Sequence, residues 1–179
     1  MFPSIKNPQR VNARLKNVGK LVYICVKTDD TGNHFLDTKT RSLDSVSDPE
    51  LDFALYYYKS ADPNNTKAVL PVHIATATCL RMTAERELTI TTLKDMDINT
   101  NNMAPLENPP SLTQADDRFF FQKTSGSNVA FEATNGNDKN YFLCINDSNK
   151  PALQMSNAGV LREEFLFSLD MSEIENSIM

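Results

Sequence analysis

The sequence predicts an all-β fold of about twelve short strands, and three observations predict it. Short runs rich in β-branched and aromatic residues recur along the chain. Polar clusters with turn chemistry separate them, such as 29–33 (DDTGN), 124–128 (TSGSN) and 135–140 (NGNDKN). No stretch carries the apolar period of an amphipathic helix of three turns, which disfavours α/β architectures.

Taken in order, the first runs are 11–17 (VNARLKN), 20–26 (KLVYICV) and 34–38 (HFLDT). A short helix is expected near 47–51, with Ser47 or Asp48 as cap and Pro49 in the first turn. The strand pattern resumes at 52–59 (DFALYYYK), 68–75 (AVLPVHIA), 78–82 (TCLRM) and 87–93 (ELTITTL). The segment 95–116 is the longest without a strand signal and reads as a surface loop. Five more runs follow at 118–122 (RFFFQ), 128–133 (NVAFEA), 141–145 (YFLCI), 151–155 (PALQM) and 164–169 (EFLFSL). Glycine is scarce, five in all, so Asn and Asp must take most left-handed turn positions.

Twelve strands divide as four, four and four, with boundaries near 59–67 and 123–128. Three such units make a β-trefoil, a six-stranded barrel closed by three hairpins, with pseudo-threefold symmetry. Internal sequence similarity is weak. The best echo is an aromatic strand ending each unit: 52–59, 118–122 and 164–169. The triple Phe119–Phe120–Phe121 poses a local question, because neighbours in a strand face opposite ways. The expectation is that Phe119 and Phe121 fill the barrel interior or its hairpin cap while Phe120 lies beneath the 95–116 loop. The inverse assignment makes Phe120 the interior residue.

The chain has 179 residues, 40% apolar and 23% charged, which fits one ordinary globular domain. A net charge of −5 argues against a nucleic-acid binder. Charge is uneven: residues 1–28 hold Lys6, Arg10, Arg14, Lys16, Lys20 and Lys27 and no acid. The end of the chain carries Glu163, Glu164, Asp170, Glu173 and Glu175. The first ten residues have no apolar core of a signal peptide. Cys25, Cys79 and Cys144 are widely spaced, odd in number and without metal-ligand spacing, so buried reduced thiols are expected.

Enzyme signatures do not emerge. The sequence has no GxSxG, HExxH, Walker or GxGxxG motif, and His34 and His73 are its only histidines. No catalytic, metal or cofactor site is expected. The two glycosylation sequons, at Asn64 and Asn146, read as turn composition.

The stretch 118–145 (RFFFQKTSGSNVAFEATNGNDKNYFLCI), with 151–155 and 164–169 after it, resembles the interleukin-1 cytokine family. A phenylalanine-rich strand, a turn, a Phe-Glu-Ala strand, an aromatic-led strand with Cys and a closing Phe-x-Phe strand come in the family's order. The likeness is strongest to its interleukin-18 branch, through 53–64 (FALYYYKSADPN) and 14–24 (RLKNVGKLVYI). It covers roughly residues 11–170. Two departures stand out: no Asp precedes Asp29 to mark a propeptide cut, and the 95–116 loop is long.

The resemblance implies a monomeric β-trefoil domain over 11–170, a short N-terminal segment (1–10) and an acidic tail (171–179). It implies a leaderless protein made in the cytosol, already mature or with a minimal leader, that acts outside the cell in inflammatory and immune responses. Its partners would be two immunoglobulin-domain chains of the interleukin-1 receptor family, one primary and one accessory. The residues carried over as receptor-binding are Lys16 and Lys20 in the first hairpin, Asp37 and Asp44 in the loop beyond it, and Tyr58 and Lys59 at the end of the fourth strand. Tyr56, Tyr57 and Tyr58 cannot all face inward, so at least one should lie at a rim. The competing reading is a carbohydrate- or heparin-binding trefoil. It lacks the Gln-x-Trp repeats of the first, there being no Trp, and a dense basic patch for the second. A trefoil protease inhibitor would need a reactive-loop signal that the sequence lacks.

Overall fold

The computed structural model describes residues 5–40, 48–60, 67–93, 115–134, 140–157 and 161–171. Twelve strands join in one antiparallel sheet. They are β1 (Ile5–Asn17), β2 (Tyr23–Thr28), β3 (His34–Lys39), β4 (Phe53–Ser60), β5 (Lys67–His73) and β6 (Thr78–Met82). Then come β7 (Leu88–Thr92), β8 (Phe120–Ser125), β9 (Asn128–Ala133), β10 (Tyr141–Ile145), β11 (Pro151–Met155) and β12 (Phe167–Met171). The all-β expectation holds, and β6, β9, β10 and β11 coincide with their sequence runs.

β1 starts at Ile5, well before the expected residue 11. Its first half is polar and contains Pro8, a residue that argues against a strand. The register shifts between Lys6 and Gln9, so Asn7 and Pro8 fall in an irregularity that no regular ladder has to satisfy. Pro71 in β5 lies between the last residue paired with β8 and the first paired with β6. A missing N–H there breaks neither the β8 nor the β6 ladder, while on the other side Pro71 stays in register with Leu55 of β4. The expected helix is a single 3₁₀ turn, Pro49–Leu51, whose cap Asp48 accepts from the Glu50 N–H at 3.2 Å.

Six strands pair in a circuit: β1 with β4, β4 with β5, β5 with β8, β8 with β9, β9 with β12, and β12 with β1. The remaining strands form three hairpins, β2–β3, β6–β7 and β10–β11. Alternate residues of every circuit strand meet in one apolar cluster: Leu15, Leu55, Val69, Phe120, Phe131 and Phe167. Val26, Leu80 and Leu143 add to it from the hairpins. Burying a side chain of this size stabilises by about 1.5–3 kcal/mol.

Phe120 is thus the interior phenylalanine, which corrects the first assignment. Phe119 instead joins an outer cluster with Tyr56, Tyr58, Leu70 and Ala115. It meets Tyr58 edge-on at 5.5 Å. Phe121 is half-buried. The reason is the strand's start: β8 begins at Phe120, so Phe119 lies ahead of the ladder, in the turn where its N–H donates to the Asp116 carbonyl. A third cluster joins Ala130, Phe142, Cys144 and Phe165, and a fourth joins Tyr23, Cys25 and Leu51.

Candidate recognition surface

Lys16 stands opposite Tyr23 on β2 and Ser168 on β12. Its ammonium lies 5.8 Å from the Tyr23 ring centroid, and the Tyr23 hydroxyl donates to Asp170 Oδ2 at 2.6 Å. Three strands therefore contribute to one half-buried polar patch.

The turn that follows is held from several sides. The Asn17 N–H donates to the Val22 carbonyl at 2.8 Å, and the Leu21 N–H to the Asn17 carbonyl at 3.0 Å. Asn17 Oδ1 accepts from the Lys20 N–H, while its Nδ2 donates to the Glu164 carbonyl, each at 2.9 Å. A Cβ at Gly19 would meet the Glu163 carbonyl carbon and the Glu164 nitrogen at 2.9 Å, so only glycine lets the turn seat on this segment. Lys20 is exposed, 3.9 Å from Asp147, a separation at which solvent screens most of the attraction.

Leu21 sits at the tip with φ +57° and 64% exposure. Left-handed backbone at a branched residue costs roughly 1–2 kcal/mol. Among the described residues Ala77, Arg86, Asn140 and Asn149 also have positive φ, but only Leu21 combines it with a large exposed apolar side chain. Nothing in the sequence singled out Leu21, because within 20–26 it reads as one more core residue.

Lys59 is exposed at the end of β4, on the inward-facing stripe of Phe53 and Leu55 but beyond the core. Register aligns Lys6, Lys59, Lys67 and Gln122 in one row across β1, β4, β5 and β8. One step toward the core, the Tyr57 hydroxyl donates to Gln122 Oε1 at 2.6 Å, and Lys67 Nζ lies 5.8 Å from the Tyr57 ring centroid. Burial pushes the Tyr57 hydroxyl up to about 12, so it stays a neutral donor. Lys59 and Lys67 face each other with like charge, which weakens pairing by about 0.2–1 kcal/mol. No carboxylate among the described residues pairs with either.

Two sequence expectations need correction. Tyr58 is only 1% exposed, packed on Phe119, so it is a core residue; Tyr57 is the tyrosine at the rim. Asp37 lies within β3 rather than in a loop, and two lysines occupy it. Lys27 Nζ reaches Oδ2 at 3.0 Å and Lys150 Nζ reaches Oδ1 at 2.5 Å. Desolvation pushes the Asp37 carboxyl up. Hydrogen bonds from Lys150, the Thr38 N–H and Lys27 outweigh it and hold the group at about 2. Asp44 falls outside the described residues.

The structure does not bring the chosen residues into one site. Lys16 and Lys6, the β1 neighbour of Lys59, are ten positions apart along the strand, a span of up to about 30 Å at roughly 3.3 Å per residue. All three cysteines are buried and free. Burial raises the Cys25 thiol to about 11 and Cys144 to about 12, so neither is an activated thiolate. Asn146 uses its side chain to build its own turn, with Oδ1 accepting from the Ser148 and Lys150 N–H groups at 3.0 Å. Comparison with protein-family models and with curated proteins finds no match for this chain.

Proposed function

We propose that the chain is a β-trefoil cytokine of the interleukin-1 type, close to its interleukin-18 branch, that bridges two immunoglobulin-domain receptor chains. The strand circuit supports the trefoil reading. In each third the first and fourth strands pair within the circuit, β1 with β4, β5 with β8 and β9 with β12, and the middle two form a hairpin.

The observation that carries the functional reading is a pair of separate surfaces toward the two ends of β1. One end of β1 presents Lys16, Lys20 and the solvent-held Leu21. The other end adjoins Lys59 and Lys67, like charges without an acidic partner among the described residues. Surfaces toward opposite ends of a strand of this length, up to about 30 Å apart, let two partner chains sit side by side, each burying the roughly 800 Å² per partner of a standard interface. Binding is sequential: a primary chain engages first, and the composite surface recruits the accessory chain.

The test is a binding panel of interleukin-1-receptor-family ectodomains, presented singly and in pairs, with a cell signalling readout. One ectodomain should bind alone, and a second should bind only the preformed pair. Absence of binding to every ectodomain would sink the proposal. Retention on heparin at physiological salt, lost on charge reversal of Lys59 and Lys67, would favour the glycan-binding alternative.

A further inference from the structure

The third strand of each third, β3, β7 and β11, converges where the hairpins cap the circuit. Between them lies an open cavity of about 300 Å³. Its walls are Phe35 and Leu36 from β3, Leu88 and Ile90 from β7, and Pro151 from β11, with His34, Thr89 and Lys150 supplying the polar atoms. Leu36, Leu88 and Ile90 pack against the central core behind them, so the floor is fixed. Phe35 remains 42% exposed at the rim.

The walls are tied across the hairpins. Thr38 Oγ1 donates to the Asn149 carbonyl at 2.7 Å, and Lys150 bonds Asp37 on β3. Arg86, in the β6–β7 turn, lies 5.4 Å from the Tyr141 ring centroid on β10. The cavity is therefore preformed. Its exposed lining is as much polar as apolar, and its volume is at the small end of the roughly 300–1,000 Å³ range of small-molecule sites.

Charge at the rim selects the head group. Lys27 and Lys150 share the carboxylate of Asp37, and Glu50, paired with Lys39 beside Asp48, also acts on Lys27, so the cationic group that lines the cavity itself is Lys150. His34 adds a ring whose Nδ1 is taken by Thr28 Oγ1 at 2.8 Å. We infer that this hairpin-cap cavity binds a small amphipathic monocarboxylate, its apolar body against Phe35, Leu36, Leu88 and Ile90 and its carboxylate at Lys150 and His34. The cavity is lined by none of Lys16, Lys20, Lys59 and Lys67, and the proposal does not depend on the receptor reading.

Octanoate, octanol and acetate serve as probes, titrated into the full chain while amide and methyl NMR signals are followed. Octanoate should shift residues 34–36, 88–90 and 150–151 saturably and bind at least tenfold tighter than octanol; acetate should produce no saturable shift. Lys150→Gln should remove that tenfold preference while leaving octanol unchanged. Phe35→Ser, at an exposed position that the fold tolerates, should weaken octanoate and octanol alike by at least fivefold. The proposal is overturned by three outcomes: octanoate shifts scattered away from these residues, equal affinity for octanoate and octanol in the parent chain, or an octanoate affinity unmoved by Phe35→Ser.

Discussion

At the scale of single residues, Leu21 separates stability from recognition. Its left-handed backbone suits glycine, so Leu21→Gly should raise stability by about 0.5–1 kcal/mol in urea unfolding. If Leu21 anchors a partner as proposed, the same change should weaken receptor binding tenfold or more. A variant that gains stability and keeps full affinity would remove Leu21 from the surface. Lys59 gives the parallel case. Lys59→Glu replaces a repulsive cross-strand pair with an attractive one opposite Lys67, so stability should be unchanged or higher by up to about 1 kcal/mol. Primary receptor affinity should fall by a hot-spot amount, about 2 kcal/mol or more; unchanged affinity would exclude Lys59 from the interface. Lysines are legible because charge at a strand end is normally solvated. Tyr58 was carried over from the resemblance, and alternation could not test it, since it fixes only which tyrosines share a face. What covers that face comes from Phe119 and Ala115, far along the chain.

At the scale of elements, the 3₁₀ turn at Pro49–Leu51 docks the end of β5 through His73. One ring nitrogen, Nδ1, bonds Thr76 Oγ1 at 2.8 Å, and Nε2 meets the Glu50 carbonyl at 3.0 Å. Burial lowers the affinity of His73 for a proton, even though backbone carbonyls and Asp52 pull the other way. The unfolded chain therefore takes up that proton first, at about pH 6.5. Stability should be fully present above that pH and fall as pH drops from 6.5 toward the lower folded value. Urea midpoints from pH 7.5 to 5 should show this slope, and His73→Gln should flatten it. A second loss should follow in acid, as pH falls below about 4 toward about 2, when Asp37 lets go of Lys27 and Lys150. Beneath the same turn, Arg14 and Asp52 form a buried pair at 2.9 Å. Arg14→Met should cost about 3–5 kcal/mol, because it strands a buried carboxylate; adding Asp52→Leu should recover much of that. A flat response to the single change would show that Asp52 is solvated. The strands themselves were legible wherever β-branched and aromatic runs met turn residues. The first half of β1 was not, since its pairing rests on β4 rather than on its own composition.

At the scale of the whole molecule, the all-β class and the number of strands were legible because turn clusters separate the strand runs, whereas the residues that pair to close the circuit were not. Pairing of β1 with β12 joins Ala13 to Met171, and no local signal encodes a contact across nearly the full chain. The energetic consequence of closure is cooperativity. Leu15 on β1, Leu80 on β6 and Leu143 on β10 come from the three different thirds, yet they lie in the same apolar cluster. Removing any one opens a void in that shared cluster. Each Leu→Ala change should therefore cost about 2–5 kcal/mol of global stability and leave the denaturant slope unchanged. Circular dichroism and tyrosine fluorescence should report one coincident transition in every variant. Refolding should be slow for the chain's size, in the millisecond-to-second range, since non-local antiparallel pairs must close before the cluster forms. Two resolved transitions in the Leu80→Ala variant, with the signal of one third lost first, would show that the thirds fold as separate units. The six-strand circuit would then be held by its hydrogen bonds alone rather than by a shared interior.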